Sequence, residues 1–330
     1  MRPKGKNDKI MILQSSWENL IHMWFVFALV TMLAWGTADL FYKKGADETD
    51  RYSHLKTTMI VGLVMGIHAI ATILFTDVNY NFYNILVYFP VSIMYIASMT
   101  IGYFGLRYLE LSVSSPVQNA SGAVACLLCL IFLGDTMDLI TSVGVVLVCL
   151  GVVLLGVLEK KKEEAFEAQN NKKYKIGFVA FMMPILYCII DALGTFFDAY
   201  YLDDFTKTPL VDVTEENFEN VANISYELTF LACAVIIFLF LKLKKQKIGL
   251  KYQGVRAGAA IFETAGQFSY VYAMSGNGAV AAPMIASYCI VSVILSRIFL
   301  KEKLSARQYG TVAIIIAGIL LIGVAEGLAE

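Results

Sequence analysis

Apolar residues along this chain gather into runs of roughly twenty, the length an α-helix needs to cross a hydrocarbon core. Glycine, proline or charge closes each run, and ten segments can be laid down: 20 to 42, 57 to 75, 83 to 106, 114 to 133, 138 to 157, 176 to 201, 224 to 241, 254 to 274, 278 to 296 and 308 to 325. The pattern predicts an all-α membrane protein of ten transmembrane helices. A polar tail, 1–19, precedes the first segment. The charged run EKKKEEAFEAQNNKKYK, 159–175, follows the fifth and reads as a solvated linker, and an acidic loop, 202–222, follows the sixth.

The fourth and ninth segments repeat one another. Pro116 falls on Pro283, 167 positions on, and in the same register Tyr103 falls on Tyr270, Ile131-Phe132-Leu133 on Ile298-Phe299-Leu300, and Gly151 on Gly318. The chain therefore divides into two related units, 20–158 and 176–326. Each holds five segments, an odd number, so the second copy enters the membrane with opposite polarity and the two form an inverted repeat. The charges agree: the loop GDTMD after the fourth segment carries no basic residue, whereas its duplicate, KEKLSARQ, carries three. Most of the 26 Lys and Arg residues follow the first, third, fifth, seventh and ninth segments. Under the positive-inside rule those loops are cytoplasmic, and both termini and the acidic loop lie outside.

Composition narrows the class. The chain is 58% hydrophobic and 16% charged, with mean hydropathy +0.65. A soluble domain carries about a quarter charged residues. The basic residues are scattered between the segments and not gathered on one patch, so no nucleic-acid partner is expected. All six cysteines sit inside predicted helices, which argues against a secreted disulfide framework. The spacing of Cys126 and Cys129 matches a redox motif, but it lacks the polar helix start beside a strand that such chemistry uses. No HExxH, Walker loop or GxSxG occurs, so neither an enzyme, a metal, a cofactor nor an ATP-driven pump is expected. The tail is polar for too long to open a signal peptide, so the first apolar run should stay as a helix.

Ionisable groups inside a membrane helix face the bundle interior or a water-filled cavity, because lipid exposure costs on the order of 3 kcal/mol. His68, Asp191 and Glu263 fall mid-segment, and Asp39 lies toward the end of the first. Gln267 and Tyr270 follow Glu263 at i+4 and i+7, which aligns the three as a polar stripe. The functional reading is a carboxylate-lined cavity for a cationic or amine-bearing solute, or for a coupling proton or ion. The packing alternative pairs Glu263 with His68 or a tyrosine, and Asp39 with Lys43 one turn on. Asp198 should sit nearer the surface. Gln118 and Asn119 follow Pro116, which reads, like Pro283, as a helix start able to receive a carboxylate or phosphate. Trp24, Trp35, Tyr187, Tyr200, Tyr201 and Tyr288 are candidates to wall the cavity. The glycines Gly144, Gly151, Gly156, Gly310, Gly318 and Gly323 read as close helix packing or as a homodimer contact.

FLGD at 132–135, FLKE at 299–302, the upstream stretches YFGLRYLELSVSSPVQ and YVYAMSGNGAVAAPMI, and AWG at 34–36 resemble the paired EamA-like repeats of the drug/metabolite transporter superfamily. The family pattern is FLGE; here Asp135 replaces its acid in the first copy and Lys301 its glycine in the second. The resemblance implies a secondary transporter of the plasma membrane that exports a small polar or amphipathic metabolite, an amino acid or amine, by alternating access. It also implies cytoplasmic termini, opposite to the charge count. The alternatives are an importer of sugar or another solute, or a non-transporting membrane partner or sensor that docks through the acidic loop.

Overall fold

The computed structural model describes residues 7–47, 49–169, 174–249, 253–275, 278–303 and 305–328, and among these every regular element is helical. In order they are α1 (Asn7–Gly45), α2 (Ser53–Phe75), α3 (Asn84–Val87), α4 (Phe89–Gly105), α5 (Leu111–Asn119), α6 (Ser121–Leu128), α7 (Leu139–Gln169), α8 (Tyr174–Leu202), α9 (Phe218–Leu243), α10 (Gly254–Met274), α11 (Gly278–Ala286), α12 (Cys289–Leu295) and α13 (Ala306–Leu328). Five-residue π-helical turns, Cys129–Leu133 and Ser296–Leu300, end α6 and α12. Six stretches are long and apolar enough to span a membrane, and Phe89–Gly105, Leu139–Leu154 and Ala306–Ile322 are shorter apolar helices. Arg256, Glu263, Thr264 and Gln267 make α10 more polar than these, and all four are buried.

Two expected polar stretches are helical. The tail joins α1 from Asn7 onward, with residues 1–6 outside the described part. The charged run continues α7 to Gln169, since Lys, Glu, Ala and Gln are strong helix formers that need no buried face; 170–173 lie outside the described residues.

Four helix pairings dominate: α1 with α10, α4 with α8, α2 with α9, and α7 with α13. Between them α6 packs on α11 and α5 on α12. That central contact is tight because Gly122 has no side chain: a Cβ there would lie 2.4 Å from the Cβ of Ala286 and 2.8 Å from the carbonyl oxygen of Ala282. A Cβ on Gly144 or Gly318 would lie within 2.9 Å or 2.7 Å of the other's carbonyl oxygen, so these glycines serve packing between α7 and α13. Gly151 packs likewise on Ile315, nothing lies near Gly310, and the surroundings of Gly156 and Gly323 are outside the described part.

The prolines do not start helices. Pro116 and Pro283 lie inside α5 and α11, and each helix breaks within a turn, before α6 and α12. A proline at such an interior position removes an N–H and crowds the preceding turn, so it weakens the helix it sits in instead of opening one. The true start of α5 is at Leu111. Its first two N–H groups already donate to Glu302, Leu111 to Oε1 at 3.1 Å and Ser112 to Oε2 at 3.0 Å. The expected anion site at a proline-led helix start is therefore absent from α5.

Candidate functional site

Where α1, α4, α8 and α10 converge on the broken helices, a cavity of ≈ 60 Å³ opens in the bundle interior. Three carboxylates border it, one each from α1, α8 and α10: Asp39, Asp191 and Glu263. Serines from neighbouring helices hold the first two. Ser115 and Ser292 both donate to Asp39 Oδ2 at 2.7 Å, which ties α1 to α5 and α12 at once. Ser121 donates to Asp191 Oδ2 at 2.7 Å and Ser98 to Oδ1 at 3.4 Å. Tyr42 donates to Glu263 Oε2 at 3.2 Å, and the Trp35 indole N–H reaches the Glu263 carbonyl at 3.3 Å.

Aromatic rings make up much of the remaining wall. Trp35 lies 5.0 Å from Tyr270 and 5.8 Å from Tyr288, centroid to centroid, and Tyr42 lies 4.5 Å from Tyr103. The Tyr95 hydroxyl joins Tyr270 at 2.7 Å and donates to Thr195 at 3.0 Å. Two amide nitrogens, Gln118 Nε2 and Gln267 Nε2, are buried without a hydrogen-bond partner. Unpaired buried donors are costly unless something arrives to accept from them. Among the described residues, the lining includes no lysine, arginine or histidine.

Such a chamber has a definite chemical bias. Carboxylates close together in a low-dielectric interior are compensated only by protons or by a cationic guest. The faces of the rings favour the same guest through cation–π attraction. The free amides add donors for an acceptor on that guest. At about 10–15 Å³ per water-sized group, the cavity takes only a handful of such groups as it stands.

Of the residues singled out in the sequence, Asp39, Asp191, Glu263, Gln118, Asn119, Gln267, Tyr270 and Tyr288 border this one cavity. Asn119 spends its amide on its own helix, donating to the Ser115 carbonyl at 2.8 Å. Trp35 and Tyr187 also line it, whereas Trp24, Tyr200 and Tyr201 do not. His68 lies elsewhere. It sits between α2 and α9, where its Nδ1 meets Glu227 Oε2 at 2.8 Å, so it is not the partner of Glu263.

Other expectations are corrected too. Lys43 donates to the carbonyls of Leu106 at 2.8 Å and Leu109 at 2.6 Å, and the Asp39 carboxylate is held by serines instead. Asp198 is only 1% exposed and takes the hydroxyls of Tyr88, just before α4, and Tyr270, on α10, so it is buried between helices and not near the surface. Glu227 was missed because the seventh segment was begun at 224, which left it at an edge. The helix begins at Phe218, and Glu227 is fully buried. Its signal was legible as a lone acid entering an apolar run.

The sequence profile of the EamA-like transporter family matches residues 22–157 and 207–324. Comparison with curated proteins gives no match. A solved structure, titled only as the crystal structure of a protein, is similar in fold, with a TM-score of 0.63 at 14% identity over 91% of this chain and 97% of that one.

Proposed function

This chain belongs to the EamA-like transporter family, and from that premise we propose that it is a secondary carrier of the plasma membrane that exports a small amine or amino acid by alternating access. Membership makes it a multi-pass membrane transporter of a small solute. The substrate reading rests on one observation: three carboxylates and a tyrosine-rich wall enclose a cavity with no cationic side chain among its described lining. An ammonium group satisfies the carboxylates, and an attached carboxylate or carbonyl accepts from Gln118 and Gln267. Coupling to a proton or another cation follows from the same chemistry, since the cavity must be neutralised whenever the solute leaves.

Helix pairing supports ten crossings arranged as two inverted units, 20–158 and 176–326. Exchanging the first five segments for the second five maps the α1–α10 contact onto the α4–α8 contact. The pairs α2–α9 and α7–α13, and the central broken helices, map onto themselves. A rocking motion of the two units against each other would expose the cavity to each side in turn. Sugars fit poorly, because a hexose brings no cation to compensate the three carboxylates.

Counterflow in proteoliposomes tests the proposal. Vesicles loaded with a small amine or amino acid should accumulate the labelled solute, and hexose-loaded vesicles should not. Equal counterflow with hexose, or none with any amine or amino acid, would overturn the substrate class.

A further inference from the structure

One buried carboxyl of the bundle, Asp198, takes no part in the central cavity. It follows Thr195 by three residues on the same face of α8, yet Asp191 and Thr195 line the cavity and Asp198 does not. No lysine, arginine or histidine among the described residues is paired with it. Hydroxyls face it instead: Tyr88 donates to its Oδ1 from just before α4, and Tyr270 bonds the carboxyl from α10. Tyr226, on α9, lies close enough to feel its charge. The two thiols at the end of α6, Cys126 and Cys129, feel Asp135 instead, and α3, α5 and α11 contain no titratable side chain.

These contacts cross the joint between the two units. Tyr88 and Tyr95 belong to the first, and Thr195, Asp198 and Tyr270 to the second. The Tyr95 hydroxyl meets Tyr270 at 2.7 Å and Thr195 at 3.0 Å, a layer that separates the cavity from Asp198. Further toward the membrane face where α8 ends, Asn84 donates to the Val211 carbonyl and accepts from its N–H, both at 2.9 Å. Tyr201 donates to the Val87 carbonyl at 2.9 Å. Asp198 therefore sits inside a joint that is closed on that face.

Closing such a joint over an ionised carboxylate is costly when no cation compensates it, and hydroxyl donors offset only part of that cost. A neutral carboxylic acid closes in with little penalty. Rocking the units apart on this face would separate Tyr88 from Asp198 and Tyr95 from Tyr270, and would admit water to the carboxyl. We infer that Asp198 is a proton-binding site, separate from the solute cavity, that takes up a proton from water on this face before the joint closes. A hydronium ion gives its proton to the Asp198 carboxylate and leaves as water, and the reverse step follows when the joint reopens. The link to transport rests on the carrier reading above, whereas the protonation of Asp198 does not.

Infrared spectroscopy of the detergent-purified full chain, without any solute, tests the site. At neutral pH the wild type should show a protonated-carboxyl band that D198N lacks. Y88F, which removes a hydrogen bond to that carboxyl, should shift the band. An identical band in D198N, or an unshifted one in Y88F where D198N fails to fold, would overturn the site. Proteoliposomes test the coupling: the ratio of amine accumulation driven by a pH gradient to amine counterflow in the same vesicles should collapse in D198N. An equal ratio in D198N and wild type would overturn the coupling. Absence of amine counterflow in the wild type would count against the solute reading, and the infrared result would still decide the proton site.

Discussion

The carboxylate of Glu302 caps Leu111, which lies 191 residues away in the other half of the chain. Oε1 takes the Leu111 N–H and Oε2 the Ser112 N–H, satisfying the first donors of α5. The duplicate does the converse: Asp135 accepts from the backbone of Ala279, at the start of α11. The acids of FLGD and FLKE thus hold each half's broken helix from the other half. Glu302→Ala should destabilise the fold by about 1–2 kcal/mol, the worth of a lost charged N-cap. Thermal unfolding in detergent reads it, with Glu302→Gln expected between the two because one acceptor remains.

Burial pushes the Asp135 carboxyl above its ordinary value of 3.8, and Asp203 adds to the shift. The folded chain therefore binds this proton more tightly than the unfolded one. The resulting stability is complete below pH 3.8 and is lost as pH rises through the raised value. Asp135→Asn should flatten that part of the profile while keeping an acceptor for Ala279. Parallel pH curves for mutant and wild type would contradict this.

Lys301 occupies the left-handed region at φ 59°, the counterpart of Gly134 at φ 78°. A side chain there costs about 1 kcal/mol that glycine avoids. Lys301→Gly should raise stability by up to about that amount, offset in part by the freer unfolded chain. Gly134→Ala should lower it by a similar step, since nothing crowds the site and only the backbone pays. Chemical denaturation of both variants measures the pair.

His68 compensates a carboxylate that is fully buried, Glu227. His68→Ala should cost about 3 kcal/mol, because an unpaired buried charge is left behind. His68→Leu combined with Glu227→Leu should recover most of that loss. The double variant distinguishes a structural pair from a transport site: counterflow should persist once stability is restored.

Glu263→Gln keeps the shape of the central cavity and removes one negative charge. Counterflow of the amine should fall about tenfold or more, equivalent to at least 1.4 kcal/mol of lost binding or coupling. The protein should remain folded, and the pH dependence of transport should weaken. Wild-type counterflow with an unchanged pH profile would remove Glu263 from the mechanism.

Much of the site was legible because lipid makes polar residues conspicuous. A carboxylate inside an apolar run marks itself, and Asp39, Asp191 and Glu263 do meet at one cavity. Partners were far less legible. Pairing by helical spacing suggested Lys43 for Asp39, but the carboxylate is served by serines 76 and 253 residues away. Asp198 looked peripheral from its place in a helix, but it is held by Tyr88 and Tyr270, both more than sixty residues away in sequence.

Hydrophobic run length and the internal register determined by themselves that this chain is helical, membrane-embedded and duplicated, since those properties are local to each segment. Only the tertiary structure decided that Glu302 closes the start of α5 and that His68 belongs with Glu227 instead of Glu263. Each depends on which helix faces which across the bundle. In lipid that choice rests on close packing at residues such as Gly122 and on hydrogen bonds between distant segments, neither of which leaves a periodic trace in the sequence.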